Sequence, residues 1–251
     1  MIALGVAAGT SVLTRSEAAT LVVAVVVPIV LTVRVQTWRR RVEQLGAVLG
    51  VCVVLLAPWV VRNAVTFHRT VLLSDNVDSV IGGANCNVTY NGWQIGGWDF
   101  ACNTWTLPPG DESDQGAEVR HRGVQYALKH LGRVPIVVAA RAGRVLEVFR
   151  PFDDENDEGR FRWTEVANVV LFFPMQVIAF IGLRRLKQAG RIVWPFVVVL
   201  AAMLVIVMAT YGLTRFRLPW DVASVVLAGV AFGGVAVERR DKIVEDPLAL
   251  A

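Results

Sequence analysis

Residues 39–63 read RRRVEQLGAVLGVCVVLLAPWVVRN. Arginines stand at one end, an apolar run fills 42–61, and Trp59, Arg62 and Asn63 close the other. A helix of about 20 residues rising 1.5 Å each covers the roughly 30 Å of a hydrocarbon core, so this stretch reads as a membrane span. Its basic end faces the cytoplasm by the positive-inside rule. Cys52 lies within it as a small buried apolar side chain.

The same pattern recurs on either side. Residues 18–33, 164–183, 192–211 and 218–237 are apolar runs of spanning length, and residues 1–13 form a shorter one, the stump of a longer helix. That opening run has no basic residues before it and no cleavage site, so it does not read as a signal peptide. The 251 residues are 55% hydrophobic and 18% charged, with a mean hydropathy of +0.52, which excludes an ordinary soluble domain. The formal charge of +4 does not point to nucleic acid, because the basic residues fall in short loops between apolar runs.

Arg34 and Arg39–Arg41, then Arg184, Arg185, Lys187 and Arg191, then Arg239, Arg240 and Lys242 fix the cytoplasmic side. Alternation then gives an all-α integral membrane bundle of about six spans in the inner membrane, the first truncated, with both termini cytoplasmic. Residues 1–61 carry three spans, 62–163 an extracytoplasmic α/loop region, 164–237 three more spans, and 238–251 a cytoplasmic tail. Trp38 and Trp194 mark the inner interface, and Trp59, Trp163 and Trp220 the outer one.

Cys86 and Cys102 both fall in the outer region and are expected to form a disulfide, with two free thiols as the alternative. Around them, residues 63–116 are rich in Gly, Asn, Asp and Pro and read as loops and short strands. Residues 117–131 place Val119, Tyr126 or Ala127, and Leu131 on one face of an amphipathic helix. Residues 136–149 carry Arg141 and Arg144 three apart, as in a helix lying in the outer interface with its arginines at headgroup phosphates. Packing on the bundle rim with solvated arginines is the other reading.

The acidic run Asp153–Glu158 raises a divalent cation, but its spacing is not that of a calcium loop and a solvated turn is simpler; no cofactor is assigned. His68, His121 and His130 are too scattered for a metal site, and Asn87-Val88-Thr89 is a sequon of the kind that arises by chance.

Arg15 with Glu17, Arg62 with Asn63, and Arg215 with Arg217 lie at the outer ends of spans, where a charge is costly without a partner or a task. Guanidinium groups bind phosphate oxygens bidentately, so a ring of them suits an isoprenoid phosphate in the outer leaflet. Snorkelling anchors, or an Arg15–Glu17 ion pair, are the plainer alternatives.

LTRSEA at 13–18, LLAPWVVRN at 55–63, the ANCNVTYNG lobe, HLGRVPIVVAARAGRVLEVFRPF at 130–152 and TYGLTRFRLP at 210–219 together resemble actinobacterial members of the GT-C glycosyltransferases. That superfamily includes protein O-mannosyltransferases and aminoarabinose transferases. The resemblance implies transfer of a sugar from a polyprenyl-phosphate carrier to an extracytoplasmic acceptor that the sequence does not identify. It casts Arg15, Arg62, Arg215 and Arg217 as donor-phosphate ligands. The family's catalytic acid lies in an external loop near the start of a longer chain and matches no position here. The chain therefore corresponds to the family's C-terminal half, with an N-terminal half as an implied partner. Glu17, Asp75 and Asp78 are the acidic candidates, Glu17 chiefly as the partner of Arg15. A noncatalytic membrane protein that binds a partner or envelope glycan through its external lobe is the competing reading.

Overall fold

The computed structural model describes residues 1–32, 37–103, 107–152 and 161–233. The described residues are helical, with no strand among them. Three helices are long and apolar enough to cross a membrane: α3 (Trp38–Thr66), α8 (Arg162–Gln188) and α10, whose leading turn extends it to Thr214–Gly233. Three further apolar helices, α1 (Ile2–Thr14), α2 (Ala18–Thr32) and α9 (Trp194–Ala209), are shorter. Arg34, the acidic run 153–158 and the tail 238–251, with its basic cluster, lie outside the described residues.

The expected span 192–211 is shorter in the structure, Trp194–Ala209, and prolines shape both it and α2. Pro195 starts α9 in its first turn, where a missing N–H is harmless, and Thr210 caps it before a loop held by other parts of the chain. In α2, Pro28 can neither donate to the preceding turn nor tolerate a carbonyl against its ring. The turn before it opens into a π-helix over Val22–Val26, with Val27 N–H reaching Val22 O. Pro58 and Pro174 sit inside α3 and α8 without ending them.

The apolar helices pack in pairs, α1 on α3 and α8 on α10, with α9 bridging to α10 and to the region between α3 and α8. Small residues set the separations. A Cβ on Gly5 would lie 2.8 Å from Val51 Cβ, and one on Gly9 2.9 Å from Leu55 Cδ1, so α1 seats directly on α3. A Cβ on Gly182 of α8 would fall 1.9 Å from the Leu227 carbonyl of α10. In a bilayer, where lipid tails are as apolar as leucine, such close backbone approach is a main source of helix association. Trp220 is expected at the outer interface, yet its indole N–H turns inward to Gln176 of α8 at 2.7 Å and ties the same pair together.

In the region between α3 and α8, α4 (Asn76–Ala84), α5 (Asn87–Asn91) and a short 3-10 turn (Phe100–Asn103) stand where loops and short strands were expected over 63–116, while α6 (Glu112–Lys129) and α7 (Val134–Val145) are the helices expected over 117–131 and 136–149. The region's glycines serve as contact points as well as turn formers. A Cβ on Gly82 would sit 2.2 Å from Val119 Cγ1, one on Gly83 2.0 Å from the Trp98 indole nitrogen, and one on Gly123 2.6 Å from Ile81 O. Close seating of α4 on α6 follows, with Ser113, Ala117, Val119 and Gly123 as the buried face of α6. Leu131, expected on that face, lies beyond the helix end and is 62% exposed. Cys86 and Cys102 are joined, Cα atoms 5.9 Å apart, which ties α5 to the 3-10 turn; Cys52 is a buried free thiol whose Sγ meets Gly5 O at 3.4 Å.

The chain leaving α3 is latched to the start of α6. Asp111 caps α6 through Asp114 N–H at 3.0 Å and also accepts His68 N–H at 2.7 Å. His68 Nδ1 lies 3.1 Å from Asp114 Oδ2, and Arg69 Nε donates to Asp114 Oδ1 at 2.7 Å. The hydrogen bond to Asp114 holds His68 above its ordinary 6.5, and the Ser113 hydroxyl is the chief cause of Asp111 falling from 3.8 to about 2. A raised histidine contributes stability that is full below 6.5 and lost as pH climbs through its folded value. A depressed aspartate contributes above 3.8 and is lost as pH falls toward 2. The latch is therefore tightest between about pH 4 and 6.5. Hydrogen exchange at residues 67–69 and 111–115, corrected for intrinsic rates, is expected to be slower at pH 5.5 than at pH 8.5, and this difference disappears in His68→Ala.

Candidate functional site

Arg15 ends α1. Its backbone is extended while its N–H still bonds Ser11 O, so the helix stops at the start of a three-residue link to α2. Arg215 sits in the 3-10 turn Thr214–Arg217 between α9 and α10. The loop leading into that turn is pinned: Gly212 N–H donates to Gly96 O at 2.8 Å, and a Cβ on Gly212 would lie 2.4 Å from Arg141 O. These contacts bring two arginines, 200 residues apart in sequence, to one place. The Arg15 guanidinium lies 5.4 Å from the centre of the Phe216 ring, and that of Arg215 lies 5.6 Å from the same ring. Arg215 Nη2 also donates to the Tyr211 hydroxyl.

Both arginines line a cavity of about 410 Å³. Glu17, Trp59, Ser74, Asn76 and Tyr211 share its wall, and Glu17 is the acidic residue among those lining it. Glu17 stands 3.8 Å from Arg15, with both side chains more than a third exposed, so the pair is weak and screened. Adjoining it, an apolar groove of about 530 Å³ runs between α1, α2 and the α9–α10 pair, and Arg15 lines both. Val22, Val25 and Val26 of the π-helical turn line that groove. A small apolar pocket containing Arg15, Arg215 and Phe216 adjoins the two.

The other candidate arginines part company with these. Arg62 Nη1 donates to Asn63 Oδ1 at 3.0 Å, and its guanidinium stacks 5.3 Å from Trp59 and 5.5 Å from Phe67. It backs the cavity through Trp59 and is not one of the lining residues. Arg217 is a correction. It is 2% exposed, pairs with Glu147 at 3.1 Å and Asp221 at 3.0 Å, donates to Val145 O and Asn168 Oδ1, and lies 3.9 Å from the Phe172 ring. Its donors are engaged in joining α7, α8 and α10, which leaves it no role at a donor phosphate. Arg141 and Arg144 are also corrected. At 4% and 2% exposure they do not face headgroups. Arg141 bonds Ala84 O, Asn85 Oδ1 and Met208 O, and Arg144 bonds Ile95 O and Gln94 Oε1.

Of the acidic candidates, Asp78 is held by Arg120 at 2.7 Å on the α6 side, and Asp75 precedes α4 between two cavity residues, Ser74 and Asn76. Trp59, Tyr211 and Phe216 are the site residues that sequence reasoning missed. Tyr211 and Phe216 lie within the quoted TYGLTRFRLP stretch, but their role depends on which ring the arginines share, and no local signal carries that. Histidine placement also differs from expectation. His68 stands with Asp111 and Asp114 with one potential ligand atom each within 4.8 Å of the others, although a cation there would compete with Arg69 for Asp114.

What the fold and site define is a helical membrane protein with an arginine-lined cavity beside an apolar groove. Comparison with protein-family models, with curated proteins and with solved structures finds no match.

Proposed function

We propose that this chain is a membrane glycosyltransferase, or its C-terminal donor-binding half, which transfers a sugar from a polyprenyl-phosphate carrier to an extracytoplasmic acceptor. In this reading all six apolar helices lie in the inner membrane, both termini face the cytoplasm, and residues 62–163 with their disulfide face outward. The observation that carries it is the convergence of Arg15 and Arg215 on one aromatic ring in a cavity that adjoins an apolar groove through Arg15. Two like charges lining one cavity favour an anion there, and the adjoining apolar groove suits an isoprenoid chain attached to it. As the acceptor hydroxyl attacks the anomeric carbon, the bond to the phosphate oxygen breaks and the phosphate leaves with the electron pair. Guanidinium groups placed at that oxygen stabilise the charge as it develops. The acceptor's proton needs a base, which the resemblance assigns to the N-terminal half, and Glu17, the acidic residue lining this cavity, serves as the partner of Arg15.

The test is sugar transfer from a polyprenyl-phosphate sugar by the full-length protein in proteoliposomes, together with any separately encoded N-terminal half. Arg15→Ala and Arg215→Ala are each expected to cut turnover at least about tenfold, the effect of losing about 1.4 kcal/mol of charge stabilisation. Unchanged turnover in both would reject the assignment.

A second reading draws on an open cleft of about 690 Å³ on the outer region, bordered by Arg69, Pro108, Pro109, Arg120 and His121. A noncatalytic glycan- or partner-binding protein would use that cleft and would be indifferent to Arg215.

A further inference from the structure

One guanidinium bridges the two walls of the arginine cavity. The first wall is α4, through Asn76, Val77 and Val80; the second is the loop after α9, through Thr210, Tyr211 and Arg215. Arg141 of α7 lines neither, but bonds the chain beside each, at the end of α4 and near the end of α9. Its Nη2 donates to Ala84 O, the last residue of α4, at 2.8 Å, and to Asn85 Oδ1 at 3.1 Å. Its Nη1 donates to Met208 O at 3.0 Å, two residues before the second wall begins.

That arrangement is costly. Arg141 is 4% exposed, is answered by carbonyl oxygens alone among the described residues, and has a buried Nε without a partner there. Burying a charge with no counter-ion is unfavourable, and carbonyl dipoles offset only part of the cost. What a guanidinium offers in return is a rigid planar fork that holds two acceptors at a set angle, which a lysine ammonium does not provide.

We propose that Arg141 is a positioning residue for the anion cavity: its fork fixes the lobe wall against the loop that carries Arg215, so that Arg215 and Arg15 meet one phosphate. This rests on the reading of the cavity as a lipid-phosphate site. It accounts for a buried, uncompensated arginine two residues' width from a loop that must be held in register. It also makes the disulfide-tied lobe part of the binding apparatus, since Asn85 adjoins Cys86.

The test is the affinity of the full-length protein for a polyprenyl phosphate in zwitterionic nanodiscs, with thermal stability measured in parallel. Arg141→Lys keeps the charge and loses the fork; Arg141→Met loses both. If Arg141 positions the walls, each weakens binding about tenfold among molecules that remain folded. Weakening by Arg141→Met alone would assign the effect to charge, and unchanged affinity in both would reduce Arg141 to a stability role; either outcome overturns the proposal. Arg215→Ala serves as the separate control: if it leaves affinity unchanged, the phosphate-site reading itself fails. Should the Arg141 variants not fold, Asn85→Ala removes one arm of the fork and is expected to weaken binding about threefold, with no change counting against the proposal.

Discussion

Replacing Arg217 with methionine is expected to lower the unfolding free energy by about 3–5 kcal/mol, because it removes a buried guanidinium that Glu147, Asp221, Val145 O and Asn168 all meet. Glu147 is 3% exposed and Arg217 2% exposed, and the pair lies 3.1 Å apart where the end of α7 meets α8 and α10. Arg217 also loses its bonds to Val145 O and Asn168 Oδ1, so three helices lose a common fastening. Desolvation makes the intact pair worth much less than this loss suggests. Converting both partners, Arg217→Met with Glu147→Gln, is therefore expected to recover a large part of the stability. Thermal and denaturant unfolding in detergent, followed by tryptophan fluorescence, measures both variants. A single variant as stable as the parent would show that the ion pair is not a joint of the fold.

The second large effect lies within the membrane helices. Gly182→Ala introduces a methyl group only 1.9 Å from the backbone carbonyl of Leu227, and a carbonyl cannot rotate away as a side-chain tip does. Helix α8 must separate from α10, and the loss is expected to reach about 3 kcal/mol, the upper part of the range for forced overpacking. Gly46 of α3 provides the matched control, for nothing lies within 4 Å of a Cβ built there. Gly46→Ala is expected to raise stability by about 0.5–1 kcal/mol through helix propensity alone. Equal effects at the two glycines would show that close approach of α8 and α10 is not what holds the pair.

Apolar helices were legible in the sequence because hydropathy acts locally and over many residues. Their ends were less so. Pro195 opens α9 two residues after the expected start at 192, and the π-helical turn before Pro28 has no compositional mark. Between α3 and α8, Gly82 and Gly83 suggested turns, since glycine permits turns; glycine also permits helix crossing, and only tertiary packing distinguishes the two uses. The arginines illustrate the same limit. A charge at a span's outer end reads as costly, but its partner does not follow from position. Arg141 and Arg217 meet carbonyls 57 and 72 residues away in the chain, whereas Arg15 and Arg215 meet around a phenylalanine. Of four arginines expected around one phosphate, two converge, one stacks behind the wall, and one is built into the joint.

The account stands most directly on one comparison: the affinity of the full-length protein in nanodiscs for a polyprenyl phosphate against the uncharged polyprenol of the same length. Hydrogen bonds to charged groups contribute about 1.5–3 kcal/mol each, so two guanidinium groups at the phosphate predict a preference of at least about 100-fold. That preference is expected to vanish in the Arg15→Ala, Arg215→Ala double variant. Equal affinity for the two lipids in the parent protein would contradict the claim that this cavity is built for a lipid-borne phosphate.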